Sequence, residues 1–157
     1  MSKRREGREA AIQFLFQADL NDTPASELTA GFWKMREDET QNASAAKVKV
    51  FADELIAGVA AHREEIDQRI TACLVNFELG RLAAVDRNVL RVAIFELLYS
   101  PEVAPVIIIN EAIEIAKKFG TEKSGGFING VLDRIKNEIG RPSRTSAVGY
   151  SREQGGK

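Results

Sequence analysis

The spacing of apolar residues between positions 48 and 59 constrains the fold of this chain more than any other feature. Val48, Phe51, Ala52, Leu55, Ile56 and Val59 stand at i, i+3, i+4, i+7, i+8 and i+11. That spacing lines up one stripe of an α-helix and would scatter the same residues over both faces of a strand. Residues 82–99 constrain it further. Val85, Val89, Leu90, Val92, Ala93, Ile94, Phe95, Leu97 and Leu98 cover most of a helix circumference, and a helix apolar nearly all round is a central, buried one. Asp86, Arg87, Arg91 and Glu96 interrupt it. Arg91 and Glu96, in mid-helix among apolar neighbours, are expected to be structural, paired charges.

The remaining segments fit the same pattern. Ile12, Leu15 and Phe16, extended by Ala11 and Leu20, make an amphipathic helix over residues 6–20. Thr23-Pro24 is a helix start for Leu28, Phe32 and Met35, and residues 36–44 form a polar loop. Ile66, Ile70, Cys73, Leu74 and Phe77 continue on a further helix after a turn near His62. Val106–Ile109 is the only strand-like run; with no second strand to pair with, it reads as an extended connector. The helix after it starts near Asn110, carries Ala112, Ile113, Ala116 and Phe119, and is stopped by Gly120 at the C′ position. Ser124 caps a last helix with Phe127, Ile128, Val131, Leu132, Ile135 and Ile139 inward. The expectation is an all-α fold of about seven helices in one domain over residues 1–139, with a disordered basic tail over 140–157.

Composition excludes several functions. The 157 residues, 44% hydrophobic, can bury a core without a staple. The single cysteine, Cys73, allows no internal disulfide and no cysteine-based zinc site, and sits on an apolar stripe as a small core residue. The single histidine, His62, fits a helix end. Gly125-Gly126-Phe127-Ile128-Asn129-Gly130 lacks the Lys-Ser/Thr of a phosphate loop; its glycines read as opening the last helix and allowing a close crossing. No metal-ligand spacing, cofactor motif, membrane span or signal peptide is found. An enzyme is therefore the weak reading.

The net charge of −1 hides a segregation. Lys3, Arg4, Arg5 and Arg8 against Glu6 and Glu9 leave residues 1–9 at +2. Arg141, Arg144, Arg152 and Lys157 against Glu153 leave residues 140–157 at +3, so the body between is −6. Two basic ends on an acidic body suggest an anionic partner met at an end of the chain.

Four stretches carry a resemblance. Arg8-Glu-Ala-Ala-Ile-Gln-Phe-Leu-Phe16-Gln opens the chain, Asp86-Arg-Asn-Val-Leu-Arg91-Val-Ala-Ile-Phe-Glu96 lies in the central helix, and Asn110-Glu-Ala-Ile-Glu114 and Phe127-Ile-Asn-Gly-Val-Leu-Asp133 follow. In that order, from about residue 3 to 139, they resemble the NusB family of bacterial transcription antitermination factors. The resemblance implies two packed helical bundles, no catalysis and a cytoplasmic setting. It implies binding of single-stranded boxA RNA in ribosomal RNA leaders, with the small-subunit ribosomal protein that acts as NusE, and entry into the RNA polymerase antitermination complex. Some members form homodimers, and a helical interaction module that binds no RNA is the alternative. The same domain precedes certain ribosomal-RNA cytosine methyltransferases; this chain ends where the methyltransferase would begin, which favours the stand-alone factor.

Carried over residue by residue, the resemblance assigns RNA contacts to Lys3, Arg4, Arg5 and Arg8; the arginine guanidinium groups fork onto phosphate or stack on bases. Phe16 matches an aromatic position and either stacks on a base or joins the core stripe. Phe127 and Asn129 match the last-helix motif, beside backbone N–H groups at Ser124–Phe127 suited to phosphate. Lys123 stands where the family commonly has an acid, adding positive charge toward RNA; Gly125 and Gly126 replace bulkier polar residues. Glu78 and Asp86 offer a negative patch to a basic ribosomal protein. Asn110 and Glu111 read as helix-capping residues. Ala104-Pro105-Val106 replaces Pro-Tyr-Lys, and if exposed, Val106 and Ile107 add an apolar patch favouring self-association.

Overall fold

The computed structural model describes residues 2–21, 31–33, 43–75 and 78–141. The chain divides into two compact units, residues 1–61 and residues 62–157. The described residues form α-helices and one 3-10 turn, with no strand among them. The all-α expectation holds.

The first unit is built on α1 (Lys3–Asn21) packed against α2 (Ala43–Ala61). Ser2 starts α1: its hydroxyl accepts the Arg5 N–H at 3.1 Å, satisfying a backbone donor that a first turn leaves open. The stripe of α2 is buried as its spacing requires, except that Phe51 is half-buried. In α1 the buried arc is displaced from the predicted one. Phe14 is fully buried, Phe16 is half-buried, and Leu20, in the last turn, is exposed. The residues that α1 buries are Gly7 to Ile12 with Phe14 and Leu15.

Phe14 meets Phe32 edge-on at 5.2 Å between centroids, and Phe32 meets Trp33 likewise at 5.1 Å. The Trp33 indole N–H donates to Asp53 Oδ1 of α2 at 2.8 Å, which ties the helical residues 31–33 to that helix. Thr23, Pro24, Leu28 and Met35 lie outside the described residues. At the far end of the expected polar loop, Ala43 and Ser44 already belong to α2.

The second unit contains α3 (Arg63–Cys73), a 3-10 turn (Leu79–Arg81), α4 (Ala84–Tyr99), α5 (Pro105–Phe119) and α6 (Ser124–Ile139). α4 packs on α3, α5 and α6, as its apolar circumference demands. Leu90, Ile94 and Leu97 from α4, Ile108 and Ile115 from α5, and Ile128, Leu132 and Ile135 from α6 are fully buried. Phe77 lies outside the described residues. Cys73 is half-buried rather than a core residue, and burial pushes its thiol pKa up.

Of the buried charges of α4, Arg91 is paired. Arg91 donates from Nε and Nη2 to the two Asp67 oxygens at 2.8 and 3.1 Å, and from Nη1 to Asn88 Oδ1 at 3.0 Å. Asn88 in turn donates to the Ala84 carbonyl at 2.8 Å. Fork geometry of this kind fixes α3 against α4. Glu96 is buried as well.

Several expectations for this unit are corrected. Val106–Ile109 is not an extended connector but the first turns of α5, which starts at Pro105. A β-branched run resembles a strand by propensity, but Pro105 presets a helical φ, and Ile108, Ile109, Ala112, Ile115 and Ala116 form a buried helical stripe. Asn110 and Glu111 therefore lie inside the helix and cap nothing.

Gly120 does not adopt the left-handed C′ conformation; its φ is −102°. It is required for close approach: a Cβ there would lie 2.5 Å from Ser124 Oγ and 2.8 Å from the Ala116 carbonyl. Ser124 is the first residue of α6, and its hydroxyl accepts the Thr121 N–H at 3.0 Å instead of capping α6.

The left-handed glycine is Gly140, with φ 74°, at the end of α6. Arg141 beyond it does not belong to a disordered tail. Its guanidinium donates to the Leu97 carbonyl at 3.0 Å and to the carbonyls of Pro101 and Val103, gripping the C-terminal end of α4. Burial lowers its pKa. The rest of the proposed tail, residues 142–157, lies outside the described residues.

Candidate nucleic-acid interface

The basic residues of the N-terminal arm occupy the first turns of α1. Lys3 and Arg4 are exposed, Arg5 is half-buried and Arg8 is buried. Ser2 holds this turn in helical form, so the arm is a built element with its cations at fixed spacing. Cations at a helix N-terminus oppose the macrodipole, at a cost of about 0.3–1 kcal/mol each when exposed. A bound phosphate reverses the sign of that interaction.

The arginine head groups are placed by an aromatic ring of α2. Arg4 Cζ lies 4.4 Å and Arg8 Cζ 5.5 Å from the Phe51 ring centroid. Gly7, between them in sequence, lets the ring come this near: a Cβ at Gly7 would stand 2.6 Å from Phe51 Cδ2. The sequence reading placed Phe51 in the core stripe and missed this role. Arg4, Gly7 and Arg8 stand at i, i+3 and i+4 on one helix face, but nothing in the linear pattern names the ring they meet. Phe16, on the same helix, is half-buried, intermediate between its two readings.

The second group of candidate residues starts α6. The turn before it is tied by its own side chains: Thr121 N–H donates to Ser124 Oγ, and Lys123 N–H donates to Thr121 Oγ1 at 3.3 Å. Lys123 and Asn129 are exposed, and no described residue hydrogen-bonds the ammonium of the one or the amide of the other. Phe127 is half-buried. Of the backbone donors expected to be open, Ser124 N–H is taken by the Thr121 carbonyl and Phe127 N–H by the Lys123 carbonyl. That leaves those of Gly125 and Gly126. Gly125 is buried against α5, where a Cβ would make ordinary contacts of 3.4 to 3.6 Å with Lys117 and Ile113, so close crossing does not require glycine here.

Of the proposed partner-binding acids, Glu78 is exposed beside the 3-10 turn. Asp86, in the first turn of α4, is half-buried, and its Oδ1 is buried with no hydrogen-bond partner. The neighbouring Arg87 is directed away, donating to the carbonyls of Leu79 and Leu82 at 3.1 and 3.0 Å. His62 stacks on Tyr99 at 4.0 Å between centroids, and its Nδ1 lies 4.0 Å from Glu65 Oε1.

The described residues contain no group of three or more His, Cys, Asp or Glu gathered for a metal, and no helix among them is long and apolar enough to cross a membrane. Helices with exposed cations gathered at the start of α1 fit an all-α protein that meets an anionic partner such as a nucleic acid. The match to known proteins narrows this class. The NusB family model covers residues 5–137. The transcription antitermination protein NusB of Sorangium cellulosum is 41% identical over 92% of this chain and 99% of its own length. Among solved structures, T. maritima NusB superposes with a TM-score of 0.75 at 40% identity, covering 88% of this chain and 92% of that one. A structure of antitermination factors NusB and NusE in complex with dsRNA gives 0.75 at 30% identity, over 88% and 98%. The chain belongs to the NusB family, transcription antitermination factors that bind RNA and have no enzymatic activity.

Proposed function

We propose that this protein suppresses premature termination in ribosomal RNA operons by binding the single-stranded boxA element of the leader transcript. It does so jointly with the small-subunit ribosomal protein that acts as NusE, in the bacterial cytoplasm, and the pair joins the RNA polymerase antitermination complex. The observation that carries this reading is the start of α1, where exposed Lys3 and Arg4 point open donors at solvent from a capped helical turn. Arg5 adds to that charge, and Arg8 is buried with its guanidinium near the Phe51 ring. Lys123, Phe127 and Asn129 supply a cation, a ring for stacking and a free amide at the start of α6. Exposed Glu78 and half-buried Asp86 add negative charge suited to a basic protein partner. The relative solved with NusE and dsRNA supports the RNA and NusE parts of the reading.

Fluorescence anisotropy tests it, with labelled boxA single strand, a scrambled strand and the corresponding duplex, each with and without the ribosomal partner. Preference for the boxA strand, tightened by the partner, is the expected result. Equal binding of all three RNAs removes the boxA reading, and binding of none removes RNA altogether.

A second reading, self-association, has its own observation. Ile107 is 51% exposed and Val106 half-exposed on the first turns of α5, where the family's tyrosine and lysine are replaced. Sedimentation velocity across a concentration series, with Ile107→Lys as control, decides whether that face pairs two copies.

A further inference from the structure

We propose that Phe51 is a positioning residue for RNA binding: its ring carries the Arg4 guanidinium in the orientation in which that side chain meets RNA. The inference rests on the reading of the α1 start as an RNA-contacting element.

Arg4 is exposed, and the Phe51 ring is the one described group that engages its head group. A long cationic side chain on a helix surface otherwise samples many rotamers, and binding must then freeze them. Resting at 4.4 Å from the ring centroid, the guanidinium is held through its charge. None of its five N–H donors is spent in that contact, so all remain for phosphate or a base edge. A carboxylate partner would hold the side chain equally well but would occupy two of those donors and cancel the charge.

The ring itself is fixed. Gly7 leaves no room for a Cβ, which would lie 2.6 Å from Phe51 Cδ2, so the ring is wedged against the backbone of α1 one turn from Arg4. Arg8 Cζ approaches the same ring at 5.5 Å. Two cations converge on a single ring, and burial alone would ask only for an apolar side chain of similar volume. Phe51 is also half-buried where the rest of its stripe is buried, which places it at the margin of the α1–α2 contact rather than inside it.

The test compares Phe51→Leu, which keeps apolar bulk, with Phe51→Tyr, which keeps the ring, by RNA anisotropy alone and in an Arg4→Ala background. Thermal melts confirm that each variant is folded. Phe51→Leu is expected to weaken RNA binding about two- to five-fold, Phe51→Tyr to bind as wild type, and Phe51→Leu to add nothing once Arg4 is gone. Wild-type affinity in Phe51→Leu, or the same loss with and without Arg4, overturns the proposal. If Phe51→Leu does not fold, the wild type still decides. The Arg4 δ-methylene protons should be shifted upfield by the ring in the free protein and in the RNA complex, and their absence from the ring current overturns it. A wild type that binds no RNA overturns the functional reading itself, a result separate from any of these.

Discussion

Arg4 in the first unit and Arg91 in the second are the same side chain put to opposite uses. Arg91 is 3% exposed and delivers three N–H groups to Asp67 and Asn88. Arg4 is exposed and rests on the Phe51 ring, delivering none to a described residue. A carboxylate consumes the directional capacity of a guanidinium, whereas a ring holds the charge and leaves that capacity intact. The first arrangement makes an arginine a fastener between helices; the second keeps it available to a ligand. The two units differ accordingly. The second also commits Arg87 and Arg141 to backbone carbonyls, and the first presents Lys3 and Arg4 outward.

Breaking the fastener should give the largest effect. Asp67→Ala leaves the Arg91 guanidinium buried without its carboxylate, and removing one partner of such a pair costs about 3 kcal/mol or more. Urea denaturation should register that loss, while RNA affinity measured under conditions where the variant is folded should stay at the wild-type value. A fall in RNA affinity would mean that the division of labour between the two arginines is false.

Gly7→Ala probes the ring side. The new Cβ must displace the Phe51 ring, an overpacking cost of about 1–3 kcal/mol, against about 1 kcal/mol gained in helix propensity. A net destabilisation of about 1 kcal/mol is expected, together with weaker RNA binding because the ring no longer meets Arg4. Unchanged RNA binding in a destabilised variant would separate the packing of the ring from its service to the arginine.

Much of this fold was legible in the sequence, and where it was not, the reason is specific. The stripe of α2 and the apolar circumference of α4 are periodic signals, and periodicity survives in one dimension. The pairing of Arg91 followed from its mid-helix position among apolar neighbours, although its partner Asp67 lies 24 residues away. The strand-like run at Val106–Ile109 misled because β-branched residues report packing surface as much as backbone preference. The choice of Phe14 over Phe16 for the core depends on which arc of α1 faces α2 and Phe32, which helical spacing alone does not decide. Phe51 was visible as a helical residue but not as a platform, since its function depends on Gly7 and Arg4 of another helix. Arg141 was read from a Gly- and Arg-rich composition as tail, yet three carbonyls in and just beyond the last turn of α4 claim it.

Arg4→Ala sharpens the comparison from the other side. Removing a cation from the first turn relieves about 0.3–1 kcal/mol of dipole repulsion, and giving up the interaction with the ring costs about 0.5–1 kcal/mol. The two nearly cancel, so the melting temperature should hardly move. RNA binding should weaken, and the slope of log K against log salt should fall by about 0.7 for the one phosphate that is no longer neutralised. A stability loss like that of Asp67→Ala would make Arg4 a fastener after all.

The smallest effect concerns an exposed ring whose polar end is engaged. The Tyr99 hydroxyl donates to Glu65 Oε1, and that hydrogen bond, with lesser contributions from burial and the Glu65 charge, raises the Tyr99 pKa above its ordinary 10.0. Because the folded-state pKa is raised, the stabilisation from this bond is fully present below pH 10.0 and is lost as pH rises through the folded value. The chain holds two tyrosines, so in a Tyr150→Phe background an ultraviolet titration reads Tyr99 alone. It should ionise later than free tyrosine, and Glu65→Ala should move the transition down toward the ordinary value. RNA affinity should be indifferent to both, since Tyr99 commits its donor to Glu65 of α3, whereas Arg4 directs its donors to solvent. A titration at the ordinary value would show that the Glu65 hydrogen bond does not hold in solution.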